Sequence, residues 1–360
     1  MRLRLILGIG ISLLFVGLLV QSVDVHALTT ALGHAQPAVL LPALALYFAG
    51  TWLRSVRWRL LLPPDSAPTT TLARALLIGL TVNNLLPARL GEAARAYVLN
   101  RWRGVPVGAT VASVVVERVL DGLTLAMFLL VAVGTIASAP AYLMTVGLLV
   151  GGAFVAGACL LAAIVGQPRA VLATLRFATR PCPPRIQALA ERLTLGFVNG
   201  LGLVHGWSML FNLAFLSIAA WLLEIGVFYV LMFGFSFPAS FSTAILGGSA
   251  ANFATLVPSS PGYVGTFDGV LVKVISDLLG GLVEYEEVLA YALVTRLVLF
   301  LPVTLAGVAL MSQEGLSFGD IVRFGATTKQ TAARAGTGTR REAGRLGSPT
   351  FDIPAADAGG

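Results

Sequence analysis

Charge is scarce in this chain. Only 11% of its 360 residues are Asp, Glu, Lys or Arg, against 57% hydrophobic, far more apolar sequence than a soluble core needs. Cysteine is almost absent. Cys159 sits in an apolar run and Cys182 in a proline-rich loop, which gives neither a disulfide framework nor metal-ligand spacing. The three histidines, His26, His34 and His205, are scattered, whereas zinc sites need clustered donors. The glycine-rich turn at Pro261-Gly262-x-x-Gly265 lacks the GK[ST] ending of a nucleotide-binding loop. Ser-His-Asp sets and dinucleotide fingerprints are missing too, so the case for an enzyme is weak and no cofactor or metal is expected. Short alternating strands are also lacking, which excludes a membrane β-barrel.

What remains is long apolar sequence. The mean hydropathy is +0.86, and several runs reach the ~20 residues that span a bilayer as a helix. These features predict an all-α polytopic integral membrane protein. The net charge of +7 does not imply a nucleic-acid partner. Arginines clustered between apolar segments mark cytoplasmic loops under the positive-inside rule.

Taken in order, residues 5–23 form a retained first span that starts in the cytoplasm behind Arg2 and Arg4. Residues 38–58 return inward to Arg54, Arg57 and Arg59. Residues 72–86 are short and have arginine on both flanks, so they enter and leave on the cytoplasmic face as a re-entrant hairpin. Such a break is tolerated only where protein or water buries it. Residues 105–136 carry Glu117, Arg118 and Asp121 into a crossing, and 141–165 cross back. The connector 166–206 is basic, and an amphipathic helix near 186–198 suits either a membrane surface or a plain link. Residues 207–233 cross again with Glu224 inside them; 243–257 and a stretch to 279 make a second hairpin; 288–311 are the last span, containing Arg296. The expected domains are a membrane unit at 1–312 and a disordered cytoplasmic tail at 313–360. Both termini are expected in the cytoplasm, in a cell membrane.

Two parts of this membrane unit resemble each other, 38–137 and 207–312. Each has a leading span, a short segment with Asn ending at Pro, a Gly turn with a carboxylate, and a span with Arg. Asn84, Pro87, Gly91-Glu92 and Arg118 are matched by Asn252, Pro258, Gly265 with Asp268, and Arg296. Charge bias makes the two hairpins dip from opposite faces. This inverted repeat predicts six to eight transmembrane helices, two re-entrant hairpins and a site near the midplane.

The polar residues inside this frame are the candidate site. Arginine grips phosphate with two parallel hydrogen bonds and keeps its charge, which selects Arg89, Arg95, Arg118 and Arg296. Glu92, Glu117, Asp121 and Asp268 would position them or take up protons, and Asn84 suits a helix break. Each of these groups has an alternative role as an ion pair that only fixes the fold. Glu224, alone in its span, suits a structural hydrogen bond.

At Asn84-x-x-Pro87-x-Arg89-x-Gly91-Glu92-x-x-Arg95, Glu117-Arg118-x-x-Asp121 and Pro258-x-Ser260-Pro261-Gly262-x-x-Gly265, the chain resembles the lysylphosphatidylglycerol synthase transmembrane (flippase-like) family. The membrane part of the multiple peptide resistance factor belongs to it. The resemblance implies an inner-membrane protein that moves or handles lipids around an intramembrane cavity. The ligand would be an anionic phospholipid or a polyprenyl phosphate. Full-length resistance factors continue into a soluble aminoacyl-transfer domain. Here only a short low-complexity tail follows Met311, so lysyl transfer is not expected. Some archaeal relatives are linked to polyprenyl-linked glycosylation. That implies a second reading, as an accessory to a membrane glycosyltransferase or lipid-modifying enzyme, or as a transferase itself.

Overall fold

The structure, a computed structural model, describes residues 36–86, 90–136, 139–166, 206–235, 240–256, 261–280, 282–321 and a few isolated positions. The first span at 5–23, the connector helix at 186–198, and Pro87, Arg89 and Pro258 lie outside the described residues.

A 3-10 turn, Pro37–Val39, leads into α1 (Leu40–Leu60). Then come α2 (Thr69–Leu85), α3 (Gly91–Arg103), α4 (Val107–Thr135) and α5 (Ala141–Gly166). After the connector follow α6 (Trp207–Gly234), α7 (Phe241–Ala254), α8 (Thr266–Leu279) and α9 (Tyr285–Gln313). Local chemistry sets these bounds. Pro68 and Pro106 stand as N-caps of α2 and α4, where a missing N–H costs nothing. Leu86 turns extended immediately before Pro87, because a proline disfavours helix in the residue ahead of it. Gly104 ends α3 in the left-handed region at φ 67°, a conformation that glycine adopts without strain.

The chain is an all-α, multi-pass membrane protein. Among the described residues four helices are long and apolar enough to cross a bilayer: α1 with its leading turn, α5, α6 and α9. The 29-residue α4 is long enough as well, but carries Glu117, Arg118 and Asp121 in its first half. α2 and α3 have 17 and 13 residues. At ~1.5 Å per residue they reach roughly 26 and 20 Å, short of the ~30 Å hydrocarbon core. α7 and α8, at 14 residues each, are shorter than the bilayer too.

The packing has an internal symmetry. α2 and α3 pack together, as do α7 and α8. α2 lies on α1 and α9, while α7 lies on α6 and α4. α3 packs on α4, and α8 on α9. Exchanging α1–α4 with α6–α9 therefore leaves the set of neighbours unchanged, and the leading helices α1 and α6 pack on each other. α5 stands outside this exchange and rests on α4.

Two apolar cores result. One joins α6 to α9 with the second half of α4, including Phe228, Phe267, Tyr291 and Leu129. The other joins the end of α1 to α2 and α3, including Trp58, Leu72, Ile78 and Leu99. Leu316, Phe318 and Ile321 belong to the second core, and Arg74 on α2 pairs with Glu314 at 2.6 Å. Leu316, Phe318 and Ile321 are thus packed with the helices ahead of them, because these three apolar side chains have a core to enter. Positions 322–360 lie outside the described residues.

α2 and α3 cross glycine on glycine. A Cβ at Gly91 would run into the Gly79 carbonyl and the Asn83 side chain. Small residues at such crossings let helix backbones approach closely in lipid. Gly91→Ala should therefore cost about 1–3 kcal/mol, the usual penalty for overpacking. Gly152→Ala on α5, where a Cβ meets nothing within 4 Å, should leave stability unchanged or slightly raised. Thermal unfolding of both variants in detergent micelles checks the contrast.

Candidate functional site

The two cores meet at a cavity of about 140 Å³. That is room for a few waters or one compact anion. One wall comes from Asn83 and Asn84 on α2, Glu92 on α3, and Glu117, Arg118 and Asp121 on α4. The other comes from Tyr47 and Arg54 on α1, Trp221 and Glu224 on α6, Asn252, Thr255, Tyr263 and Phe267 of the second hairpin, and Phe300 on α9.

The charges around this cavity follow helical spacing. Glu117 and Asp121 are four residues apart on α4, Arg54 and Arg57 three apart on α1, and Trp221 and Glu224 three apart on α6. Each pair therefore shares one helix face. Arg95 grips Glu117 with both terminal nitrogens, at 3.0 and 2.8 Å, the bidentate geometry that makes such pairs strong. Its guanidinium lies 3.9 Å over the Trp58 ring, and Trp58 donates to Ser113 at 2.8 Å. Arg57 is fully buried and donates to Ser217 at 2.7 Å while pairing with Asp121 at 2.7 Å. Trp221 donates to the same Asp121 oxygen at 3.0 Å. Arg54 pairs with Glu224 at 2.6 Å and stacks 4.6 Å over Trp221.

Arg118 differs from all of these. Its contacts are 3.8 Å to Glu92 and 3.8 Å to Glu117, beyond hydrogen-bond reach, and its side chain is 41% exposed. Neither its Nε nor the buried Glu92 Oε2 has a hydrogen-bond partner.

On the far side Arg296 pairs with Asp268 and donates to the Gly262 carbonyl. Asp268 also accepts from the Gly265 N–H at 3.2 Å, fixing the start of α8. Tyr263, in the turn between α7 and α8, is held at φ 57°. That conformation costs a non-glycine residue roughly 1–2 kcal/mol, and the Tyr263 ring packs edge-on against Phe300 and faces the cavity. The same turn packs on α2. Asn84, in the last turn of α2, donates to Thr304 at 3.0 Å and to the Phe300 carbonyl at 3.4 Å, beside Pro302 of α9.

The sequence profile of the lysylphosphatidylglycerol synthase TM region matches residues 5–307. This chain belongs to that family. Glycosyltransferase AglD of Haloferax volcanii is 34% identical over 127 residues, 35% of this chain and 20% of that protein. UPF0104 membrane protein MJ1595 of Methanocaldococcus jannaschii is 30% identical over 128 residues, 34% of this chain and 38% of that protein. The match thus spans about a fifth of one relative and under two fifths of the other. No solved structure matches the chain.

In this member of the lysylphosphatidylglycerol synthase TM region family, five of the sequence-selected residues line one cavity: Asn84, Glu92, Glu117, Arg118 and Asp121. Arg95, Arg296 and Asp268 do not line it; they stand behind the wall in buried pairs. Sequence reasoning missed Arg54 and Arg57, taken only as a positive-inside flank. Their three-residue spacing and the lone Glu224 were the available signals. Glu224 itself, expected to make a hydrogen bond, is the ion-pair partner of Arg54.

Removing one partner of a buried ion pair typically costs about 3–5 kcal/mol. Arg57→Met, which strands Asp121, should destabilise by that much. Arg118→Gln, which breaks only 3.8 Å contacts, should cost under about 1 kcal/mol. Chemical unfolding of the two variants in micelles measures the difference.

Proposed function

We propose that this protein is a lipid flippase or lipid-handling transporter that receives an anionic phosphate headgroup in the cavity at Arg118. Arg118 carries the reading. It is the cavity arginine with no carboxylate closer than 3.8 Å, and a guanidinium suits phosphate oxygens. The aromatic and amide wall of Tyr47, Asn83, Asn252, Tyr263 and Phe300 would border the headgroup. Acyl or prenyl chains would remain in the surrounding lipid. The headgroup belongs to an anionic phospholipid or a polyprenyl phosphate.

In this reading α2–α3 and α7–α8 are re-entrant hairpins of an inverted repeat. Arg74, Arg101 and Arg103 flank the first, which suits a cytoplasmic base. Asp277 at the end of α8 and Glu284, Glu286 and Glu287 after it suit an outer base for the second. The protein would sit in the cell membrane with both termini inside. The packing exchange between the two halves supports this arrangement.

One observation favours a second reading. A relative is named as a glycosyltransferase, and the matched stretch is a fifth of its length. The membrane unit would then serve a lipid-modifying enzyme. Co-purification of such an enzyme, together with loss of its activity when this chain is absent, would favour that reading over transport.

Proteoliposomes with fluorescent phosphatidylglycerol or labelled polyprenyl phosphate test the main reading. Movement should exceed that of empty vesicles. Losing a charge-assisted hydrogen bond costs about 1.5–3 kcal/mol, so Arg118→Gln should slow movement about ten- to a hundredfold. Movement no faster than in empty vesicles for every lipid tried, or a variant as fast as the wild type, overturns it.

A further inference from the structure

We propose that Glu92 is a proton site coupled to anion binding: a phosphate that takes Arg118 from Glu92 leaves Glu92 to take up a proton. The inference rests on the headgroup reading above and adds a second, coupled ligand to it.

The cavity is balanced in charge before anything binds. Arg54 and Arg118 in its lining, with Arg57 and Arg95 behind the wall, balance Glu92, Glu117, Asp121 and Glu224. An anion brought to Arg118 adds one negative charge to a cavity already lined by Glu92, Glu117, Asp121 and Glu224. Uncompensated charge at membrane depth is costly, and intramembrane carboxylates commonly serve as proton relays. One proton from water on one carboxylate restores the balance.

The contacts single out which carboxylate takes it. Glu224, Asp121 and Glu117 are held at 2.6, 2.7 and 2.8 Å by Arg54, Arg57 and Arg95. Neutralising any of them strands a buried guanidinium. Glu92 is held by no such contact. Its ion pair among the described residues is Arg118 at 3.8 Å, and its Oε2 is buried with no hydrogen-bond partner. The cation that Glu92 would lose is the one the anion would gain.

The groups around Glu92 agree with this assignment. From α4 it faces Glu117, Arg118 and Asp121, and from its own helix Arg95, already committed to Glu117. From α2 it faces the neutral Asn83 and Asn84, and across the cavity Tyr47, Arg54, Glu224 and Tyr263. With Arg118 turned to phosphate, three carboxylates and no uncommitted cation remain beside it. A carboxylate that loses its opposite charge near like charges is stabilised by protonation.

Calorimetry of the full chain in phosphatidylcholine nanodiscs tests the coupling. The probes are dihexanoyl phosphatidylglycerol and dimethyl phosphate. Both are phosphodiesters that keep a single charge through neutral pH, so any proton exchanged comes from the protein. Titrations in buffers of different ionisation enthalpy count that proton. The expected result is uptake of about one proton per phosphodiester bound and affinity that falls as pH rises. Glu92→Gln should bind with no uptake. If Glu92→Gln does not bind, Glu92→Asp must restore binding together with the proton. Uptake from the lipid alone assigns the site to a headgroup; uptake from both probes assigns it to phosphodiesters in general. Wild-type binding without uptake, or uptake that persists in Glu92→Gln, overturns the coupling and leaves the headgroup reading intact. No binding of either probe overturns the coupling and the phospholipid form of the headgroup reading.

Discussion

A guanidinium inside a lipid-embedded fold has to meet a carboxylate, and the rest of this structure depends on how that is done. Arg54 on α1 reaches Glu224 on α6, and Arg57 reaches Asp121 on α4. Arg95 on α3 reaches Glu117 on α4, and Arg296 on α9 reaches Asp268 on α8. Each pair joins two helices, and each is costly unless both partners are in place. Together they fix the register of helices that apolar packing alone would allow to slide, since lipid is as apolar as leucine. The cavity lies inside that frame, at the seam between the two cores.

The repeat adds a further regularity. In the first half Arg95 on the hairpin's second helix meets Glu117 on the following long helix. In the second half Asp268 meets Arg296 between the equivalent helices, with the signs reversed. The halves differ in what lies beside the pair. The first half has Arg118 and Glu92 as a loose, solvent-reachable couple. The second half brings Tyr263, Phe267 and Phe300, an aromatic wall. The site is therefore asymmetric within a symmetric frame, with charge from one half and surface from the other.

Much of the fold was legible in the sequence, because apolar runs and prolines act locally. The bounds of α1, α2, α4, α5, α6 and α9 fall within a few residues of the apolar runs. Of the candidate site, Asn84, Glu92, Glu117, Arg118 and Asp121 stood out in the sequence as polar groups between apolar runs. The pairing did not. Which of Arg54, Arg57, Arg95 and Arg118 remains loose depends on contacts such as Arg57 to Ser217, 160 positions apart in the chain. Charge bias assigned Arg54 and Arg57 to a loop flank, whereas helical phase turned both inward. Arg95 and Arg296 looked equal to Arg118 as phosphate ligands, until burial showed them occupied by Glu117 and Asp268.

The central claim is that Arg118 is the cation left to meet a headgroup phosphate while the buried pairs stay closed. The most direct measurement is an electron cryomicroscopy structure of the protein in nanodiscs with dihexanoyl phosphatidylglycerol. The account predicts headgroup density in the cavity, with a phosphate oxygen about 3 Å from the Arg118 guanidinium, Glu92 turned away, and Arg95 still on Glu117. Headgroup density on the outer surface of the bundle, with Arg118 still beside Glu92, would contradict it.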